Sequence, residues 1–452
     1  MAKGQKTRVK VPLQPRVTCS HCWHQFPPEQ VLWVSAHPDL RNDPLLGADQ
    51  QQRFLPTRFT VEGHALDVRG LACKELACPR CHLKVPRAAL EMESLYLSII
   101  GAPSSGKSYL LASMTWLLRK TLLKYFQLSM SDASPEANQI VNGYHEKLFL
   151  SPEPDQPVYL PKTEKEGDLY EEVTIAGQTL QCAKPFMYAV QPQEGHPGFD
   201  DRRHLSRALC LYDNAGEHFL PGFERSNSPV TQHLSLSRAL LFLFDPTQHA
   251  EFRKVCHGKS SDPQMKKQVG VHQQHQVLEE AAKRIRDQTG LVQSEKYSRP
   301  LIVVVTKYDA WNSLTKGTAL QAKWAMRPVK NSQLMGLDID KLRSVSDQIR
   351  SILLEHAGEV VQAAEGFSSD VTYIPVSALG RGPDVDPTSG YLTIRPRDIN
   401  PMWSEVPMLY ALHRSVRGLV LGGSRGDSSG SSGILNKPKD PEGPRVWKET
   451  GS

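Results

Sequence analysis

Two C-x-x-C pairs ahead of residue 90, apolar strand-like runs that each end at a polar motif, and helix-periodic segments between those runs predict an α/β fold. The expected architecture is a mostly parallel sheet with flanking helices, preceded by a small zinc-ribbon-like domain with four cysteine ligands. At 452 residues the chain is longer than the ~250 to 300 at which a single hydrophobic core stops growing, so more than one folded unit is expected.

Composition narrows the function classes. With 39% hydrophobic and 23% charged residues the chain has the make-up of a globular protein and not of a disordered or fibrous one. A net charge of +6 over this length argues against a surface devoted throughout to nucleic acid or anionic lipid. Lys3, Lys6, Arg8, Lys10 and Arg16 precede any acidic residue, and segment 1–16 reads as a basic, flexible N-terminus ahead of a nucleic-acid or lipid contact. No run approaches the ~18 apolar residues of a membrane span, and the start lacks the apolar stretch of a secretory signal. A cytoplasmic location follows as an expectation, and there clustered cysteines point to metal while isolated ones point to packing.

Residues 17–90 form the first module. Cys19-Ser-His-Cys22 and Cys78-Pro-Arg-Cys81 each supply two thiolates from a tight knuckle, and together they complete a tetrahedral set suited to structural Zn²⁺. The long interval between the pairs implies an inserted hairpin region, and alternation over 53–70 suggests a short strand pair. Cys73, His21, His24 and His82 read as neighbours of the site, with substitution as ligands the alternative, and Cys182, Cys210 and Cys256 as core residues.

Residues 91–421 form the second domain. The apolar run 95–100 leads into Gly101-Ala102-Pro-Ser104-Ser105-Gly106-Lys107-Ser108, which fits G-x-x-x-x-G-K-[ST] and opens a helix over 107–126 that begins Lys107-Ser108-Tyr109. In such a P-loop, glycines let the chain wrap, backbone N–H groups point at phosphate oxygens, and the helix N-terminus adds positive charge. Lys107 is expected to reach the β and γ phosphates and the Ser108 hydroxyl to ligate Mg²⁺. A proline-rich insertion at about 128–204 carries candidate strands at 172–180 and 186–190. The strand 208–212 delivers Asp213, in Asp213-Asn-Ala-Gly216-Glu217, to a Mg²⁺-holding position, with the Gly216 N–H available to the γ phosphate.

Strand 239–244 and a helix over 262–288 lead to strand 301–305 and then Thr306-Lys307-Tyr308-Asp309. Guanine presents N1–H and N2–H₂ as adjacent donors, which the Asp309 carboxylate can accept together while the Lys307 stem covers the ring face. A helix over 338–364 and a strand over 371–376 precede Ser377-Ala378-Leu379, where a backbone N–H can meet guanine O6. After Gly422 the chain turns to Gly, Ser, Pro and charge, and 422–452 is expected to be a disordered tail.

These four motifs, in this order over about 95–420, resemble the G1, G3, G4 and G5 elements of the Ras-like, translation-factor class of P-loop GTPases. The resemblance implies GTP and GDP as ligands, Mg²⁺ as cofactor, hydrolysis to GDP and phosphate, and use as a nucleotide-controlled switch. The sequence departs from the family in three places. Thr306 stands where Asn is usual, Glu217 stands where the water-orienting Gln is usual, and the interval from Ser108 to Asp213 is long enough to hide the switch I threonine. Thr163 is the choice for that threonine, as a Mg²⁺ ligand beside Ser108 and Asp213, with Thr174 and Thr179 as rivals. Lys107, Thr163 and Glu217 then make up the catalytic set. The long insertion and zinc front end are similar in architecture to the predicted double-GTPase proteins of bacterial conflict and defence operons. A non-hydrolysing GTP-binding scaffold and a P-loop ATPase are the alternatives. Protein partners through the zinc module or the switch loops are favoured over nucleic acid, because aromatic and basic residues are not interleaved.

Overall fold

The main sheet grows around a strand with no polar side of its own. The computed structural model describes residues 13–160, 169–175, 177–213, 219, 232–265, 273–315, 325–329 and 334–423. In it, β1 (Glu93–Gly101) is buried from Leu95 onward and runs into α1 (Lys107–Phe126). Then come β2 (Leu128–Asp132), α2 (Gln139–Phe149), β3 (Phe186–Pro192), β4 (Arg207–Asp213) and β5 (Ala239–Phe244). The chain continues through α3 (Gln274–Thr289), β6 (Leu301–Val305), α4 (Ile339–His356), α5 (Gly358–Phe367), β7 (Val371–Pro375) and α6 (Val406–Ser415).

The strand order is β2-β3-β4-β1-β5-β6-β7. β4, β1, β5, β6 and β7 are parallel, and β3 runs antiparallel to both of its neighbours. Every residue of β5 and β6 is buried, as strands covered on both faces must be. Helices flank the sheet: α6 packs on α1, β5 and β6, while α3 and the short helix Gln232–Leu236 pack on β1. Register places Asp213 opposite Ile99 and Leu243 opposite Gly101, so β4 and β5 leave the end of β1 on its two sides. That divergence is the crevice in which open α/β sheets bind ligands.

The first module builds a four-stranded sheet from Leu32–Val34, Arg53–Phe54, Leu76–Ala77 and Lys84–Val85, with a hairpin Arg41–Asp43/Gly47–Gln51 between the cysteine pairs. It is fastened to the main core by aromatic groups. Trp23 lies 5.2 Å from the Tyr96 ring and 5.5 Å from that of Tyr212, and the Tyr212 hydroxyl donates to the Ser20 carbonyl at 2.5 Å.

Several elements differ from the sequence expectation, each for a local reason. The 128–204 insertion contains β2 and α2, and β2 extends the main sheet at its edge. The single strand over 172–180 is a hairpin, Tyr170–Ile175 paired with Gln178–Ala183, which turns through Gly177 at φ +76°. The helix expected from 262 begins at Gln274; Asp262 instead accepts the Gln264 N–H at 2.8 Å at the start of a 3-10 turn, Pro263–Met265. The helix expected over 338–364 breaks at Ala357 (φ −153°, ψ 52°) into α4 and α5. In place of the strand pair expected over 53–70, Arg53–Phe54 pairs with Leu32–Val34 and isolated bridges join Phe59 to Ala65 and Leu66 to Ala72. Gly422 and Gly423, expected to begin the tail, pair in parallel with Leu337 and Asp338, and 424–452 lie outside the described residues. Among the described residues no helix is long and apolar enough to cross a membrane.

Phe242, fully buried in β5 beside β1, is a test of how much the central strands contribute. Phe242→Ala is expected to lower unfolding stability by about 3 to 5 kcal/mol through lost transfer energy and a residual cavity. Denaturant titration with an unchanged slope checks it.

Candidate functional site

One side of the cleft is built where β1 gives way to α1. A Cβ on Gly101 would lie 3.0 Å from Leu243 Cβ and 3.1 Å from its carbonyl oxygen, so any side chain here would press on β5. Gly106 sits at φ +89° and Ser104 at φ +60°, the left-handed conformations that wrap the loop. Lys107 is the first residue of α1, and its ammonium donates to the carbonyls of Gly101 and Ala102, both at 3.0 Å. Ser108 follows on the first turn of the helix.

Asp213 ends β4 beside this loop. It is only 7% exposed, and its Oδ1 has no hydrogen-bond partner among the described residues. Burial pushes its carboxyl up to about 6, against the opposing pull of Lys107. A buried carboxylate oxygen without a partner among the described residues is the kind of hard oxygen donor that fits a divalent cation.

The other side forms at the ends of β6 and β7. The Thr306 hydroxyl donates to the Ser105 carbonyl at 3.3 Å and to Phe244 at 3.2 Å, tying the loop after β6 to the phosphate loop. Lys307 adopts φ +53°, its stem lies over Gly106, and its ammonium donates to Asp245 at 2.6 Å, Gln264 at 2.5 Å and Thr247 at 3.1 Å. The Ser377 hydroxyl donates to Asp309 and accepts the Gly380 N–H at 2.8 Å, so the carboxylate is held in place from the β7 side. Burial raises the Asp309 carboxyl above its usual range, and the Ser377 hydrogen bond opposes that rise. Gly380 permits the closure: at φ +81° it passes so near Asn400 that a Cβ would clash with the Asn400 carbonyl.

One cleft, with about 650 Å³ of space partly open to solvent, is lined by both sides: Ser105, Gly106 and Tyr109 from the phosphate loop, and Thr306, Lys307, Asp309, Ser377, Ala378 and Leu379 from the base side. Asp262, Gln264, Arg381 and the ribbon around Leu392–Thr393 complete the wall. Residue Ile394 pairs with Val158 through two 2.9 Å hydrogen bonds, and Leu160 donates its N–H to the Tyr109 hydroxyl at 3.0 Å.

The four cysteines form a second centre. Cys19 and Cys81 sulfurs lie 3.7 Å apart, as do those of Cys22 and Cys78, and all four sulfurs fall within 4.8 Å of one another. A tetrahedral zinc with bonds of about 2.3 Å has edges of roughly 3.8 Å, so the cluster fits such an ion. The knuckles are alike. His21 N–H points at Cys19 Sγ and Arg80 N–H at Cys78 Sγ, both at 3.4 Å, and Trp23 and His82 turn the chain at φ +62° and +61°. Hydrogen bonds from the other three thiols hold Cys22 below the ordinary thiol range, while burial pushes Cys19 up.

No family model matches the chain. A protein of Mycolicibacterium smegmatis, provisionally named ESX-1 scaffolding and assembly protein SaeC, is 24% identical over 319 residues, which cover 68% of this chain and 72% of the relative. Among solved structures, sup35 complexed with GDP aligns at 12% identity over 64% of this chain and 38% of its own, with a TM-score of 0.21. The chain therefore spans well under two thirds of that structure.

The structure gathers Ser105, Gly106, Tyr109, Thr306, Lys307, Asp309, Ser377, Ala378 and Leu379 around one cleft, with Gly101, Ala102, Ser104, Lys107 and Ser108 on the loop that bounds it. Thr163, Gly216 and Glu217 lie outside the described residues. The rivals Thr174 and Thr179 face each other across the hairpin whose inner side packs on the cysteine cluster. Ser377 differs from expectation: its N–H is taken by the Met402 carbonyl at 2.9 Å, and its hydroxyl orients Asp309. His21 bonds the Ala183 carbonyl and His82 bonds Asp43, so neither stands among the four grouped sulfurs. Asp245, Asp262 and Gln264 were missed. Asp245 could have been found as the polar residue ending strand 239–244, the position that every other site motif occupies.

The chain is expected to carry one zinc per molecule, released by thiol-blocking reagent with four reactive thiols. Cys78→Ser should lower zinc retention and the thermal midpoint together, read by a chromogenic metal assay and calorimetry; full retention would show the sulfurs are not the ligands.

Proposed function

We propose that this chain is a Mg²⁺-dependent guanine-nucleotide-binding protein of Ras-like P-loop type that hydrolyses GTP to GDP and phosphate and acts as a nucleotide-controlled switch. The observation that carries the reading is Asp309, a buried carboxylate oriented by the Ser377 hydroxyl in the same cleft as the phosphate loop. Guanine would offer it N1–H and one N2–H. Adenine has an acceptor at the corresponding ring nitrogen, so a carboxylate there repels the base of ATP.

In this reading the backbone N–H groups of 101–106 and the Lys107 ammonium receive the phosphates, and Thr306, Lys307, Asp309 and the Ser377–Leu379 loop fix the base. Ser108, Asp213 and Thr163 would hold Mg²⁺, which neutralises charge on the β and γ phosphates. Leu160, three residues before Thr163, is anchored on Tyr109 next to Ser108, which supports Thr163 over its rivals. Hydrolysis transfers the γ phosphoryl group to water, breaking its bond to the β–γ bridging oxygen, with Glu217 as the residue that orients the water. Gly216 would offer its N–H to the γ phosphate, coupling its presence to the loop after Asp213.

A second reading, a GTP-binding scaffold that does not hydrolyse, is favoured by the scaffolding name of the Mycolicibacterium relative and by Glu217 in place of Gln. A protein partner would suit the zinc module, where Leu55, Phe59 and Val61 are 59%, 53% and 93% exposed. Single-turnover phosphate release separates hydrolysis from simple binding.

Two variants test the proposal. Lys107→Ala is expected to weaken GTP binding by about 100-fold through loss of charged hydrogen bonds to phosphate. Asp309→Asn should weaken GTP by about 10- to 100-fold and strengthen xanthosine triphosphate, whose C2 oxygen accepts from the new amide. Competition of labelled GTP by GDP, ATP and XTP measures both; GTP affinity untouched by either change would refute the corresponding half of the site.

A further inference from the structure

Asp309 is not the only carboxylate on the base side of the cleft. Asp262 lines it too, at 2% exposure, and burial pushes its carboxyl up to about 6, with the nearby Asp309 and Asp245 adding to the rise and Lys307 opposing it. The cations around it are committed elsewhere. Lys307 is bonded to Asp245, and Arg381 forks between Asp384 at 2.8 Å and Asp398 at 3.2 Å. Asp262 pairs with no cation among the described residues; its one polar side-chain contact there is the 2.8 Å bond from the Gln264 N–H to Oδ1. Gly382 closes over it, leaving 3.3 Å between an added Cβ and the Asp262 carboxyl carbon.

A turn cap does not explain an acid at this position, because Asn caps as well as Asp without bringing a charge into a cleft that already holds Asp309. Two carboxylates facing one space repel, and a ligand that presents more N–H donors than one carboxylate can accept relieves both. Guanine is such a ligand: with N1–H and one N2–H on Asp309, the second hydrogen of the 2-amino group remains. We propose that Asp262 accepts this second N2–H and is the residue that selects guanine over hypoxanthine, a base alike in every respect except the 2-amino group. The inference rests on the guanine reading above and adds to it a second contact at the exocyclic amine.

The test is a cycle of base against side chain on the full chain with Mg²⁺, measuring affinities for GTP, ITP, N2-methyl-GTP and ATP by competition. For the unaltered protein, N2-methyl-GTP, which has one N2–H left for Asp309, should bind about tenfold more weakly than GTP. Asp262→Asn keeps the cap and removes the charge; it should lower the GTP-to-ITP affinity ratio by about tenfold, leave ITP binding in place, and abolish the penalty for the N2-methyl group. An unchanged ratio in Asp262→Asn, with GTP still preferred over ATP, overturns the role of Asp262 alone. Should the variant fail to fold, equal binding of GTP and N2-methyl-GTP by the unaltered protein overturns it independently. ATP binding as tightly as GTP would overturn the guanine reading and this inference with it.

Discussion

A single buried carboxylate, Asp245, holds the loop after β6 and the loop between β1 and α1 in register. It is fully buried, and an unpaired charge in that position would cost several kcal/mol. Both oxygens are therefore engaged: Oδ1 accepts the Thr247 N–H at 2.9 Å and hydroxyl at 2.7 Å, and Oδ2 accepts from Lys307 at 2.6 Å and Gln248 at 3.1 Å. Gln248 reaches on to the Pro103 carbonyl at 3.1 Å, and the Lys307 stem lies over Gly106. The ends of β1, β5 and β6 are thus joined through one charge whose geometry has little freedom, because losing any partner leaves a desolvated group unsatisfied. The left-handed backbone at Lys307 is tolerated for the same reason: the ammonium has three fixed acceptors to reach.

The cysteine module is held to the sheet at a consequential place. Tyr212, which donates to Ser20 inside the first knuckle and packs against Trp23, immediately precedes Asp213. On the other side, the hairpin that leads into β3 buries Val173 and Cys182 against the cysteine cluster, and His21 bonds Ala183 at 3.3 Å. Both the hairpin before β3 and the end of β4 therefore rest on the cysteine module. A module too small for a stable core of its own would gain rigidity from a metal at these sulfurs, and the Tyr212 contacts would pass that rigidity to the strand that carries Asp213.

What could be read from the residues alone follows from how each element is stabilised. Runs 239–244 and 301–305 are apolar throughout and appear as β5 and β6 with those same ends, because strands covered on both faces advertise their burial in every residue. The helix over 107–126 was equally legible from its glycine-bounded start. β2 and α2 were not: Leu128–Asp132 alternates with serines, and its place is set by pairing with β3, a contact no local pattern encodes. The break at Ala357 escaped because the apolar period of α4 continues into α5 in nearly the same phase, and the bend is imposed by packing on α3. In the site, motif spacing located the loops, whereas the hydroxyl of Ser377 and the carboxylates of Asp245 and Asp262 depend on approach between distant segments.

The two halves of the cleft differ in how completely their polar groups are satisfied. At the ends of β6 and β7, Thr306, Lys307 and Ser377 all have defined partners, and Asp309 is aimed by one of them. On the phosphate side the Lys107 ammonium is turned onto the carbonyls of its own loop, and Asp213 keeps a buried oxygen without a partner among the described residues. A ligand entering such a site meets little reorganisation at the base and more at the phosphates. In the proposed reading, selectivity among bases would come from groups already in place, at low entropic cost. In that reading, reorientation of Lys107 falls where the γ phosphate would be sensed, the arrangement a switch would require: discrimination held rigid, and the response confined to the end of the ligand that changes.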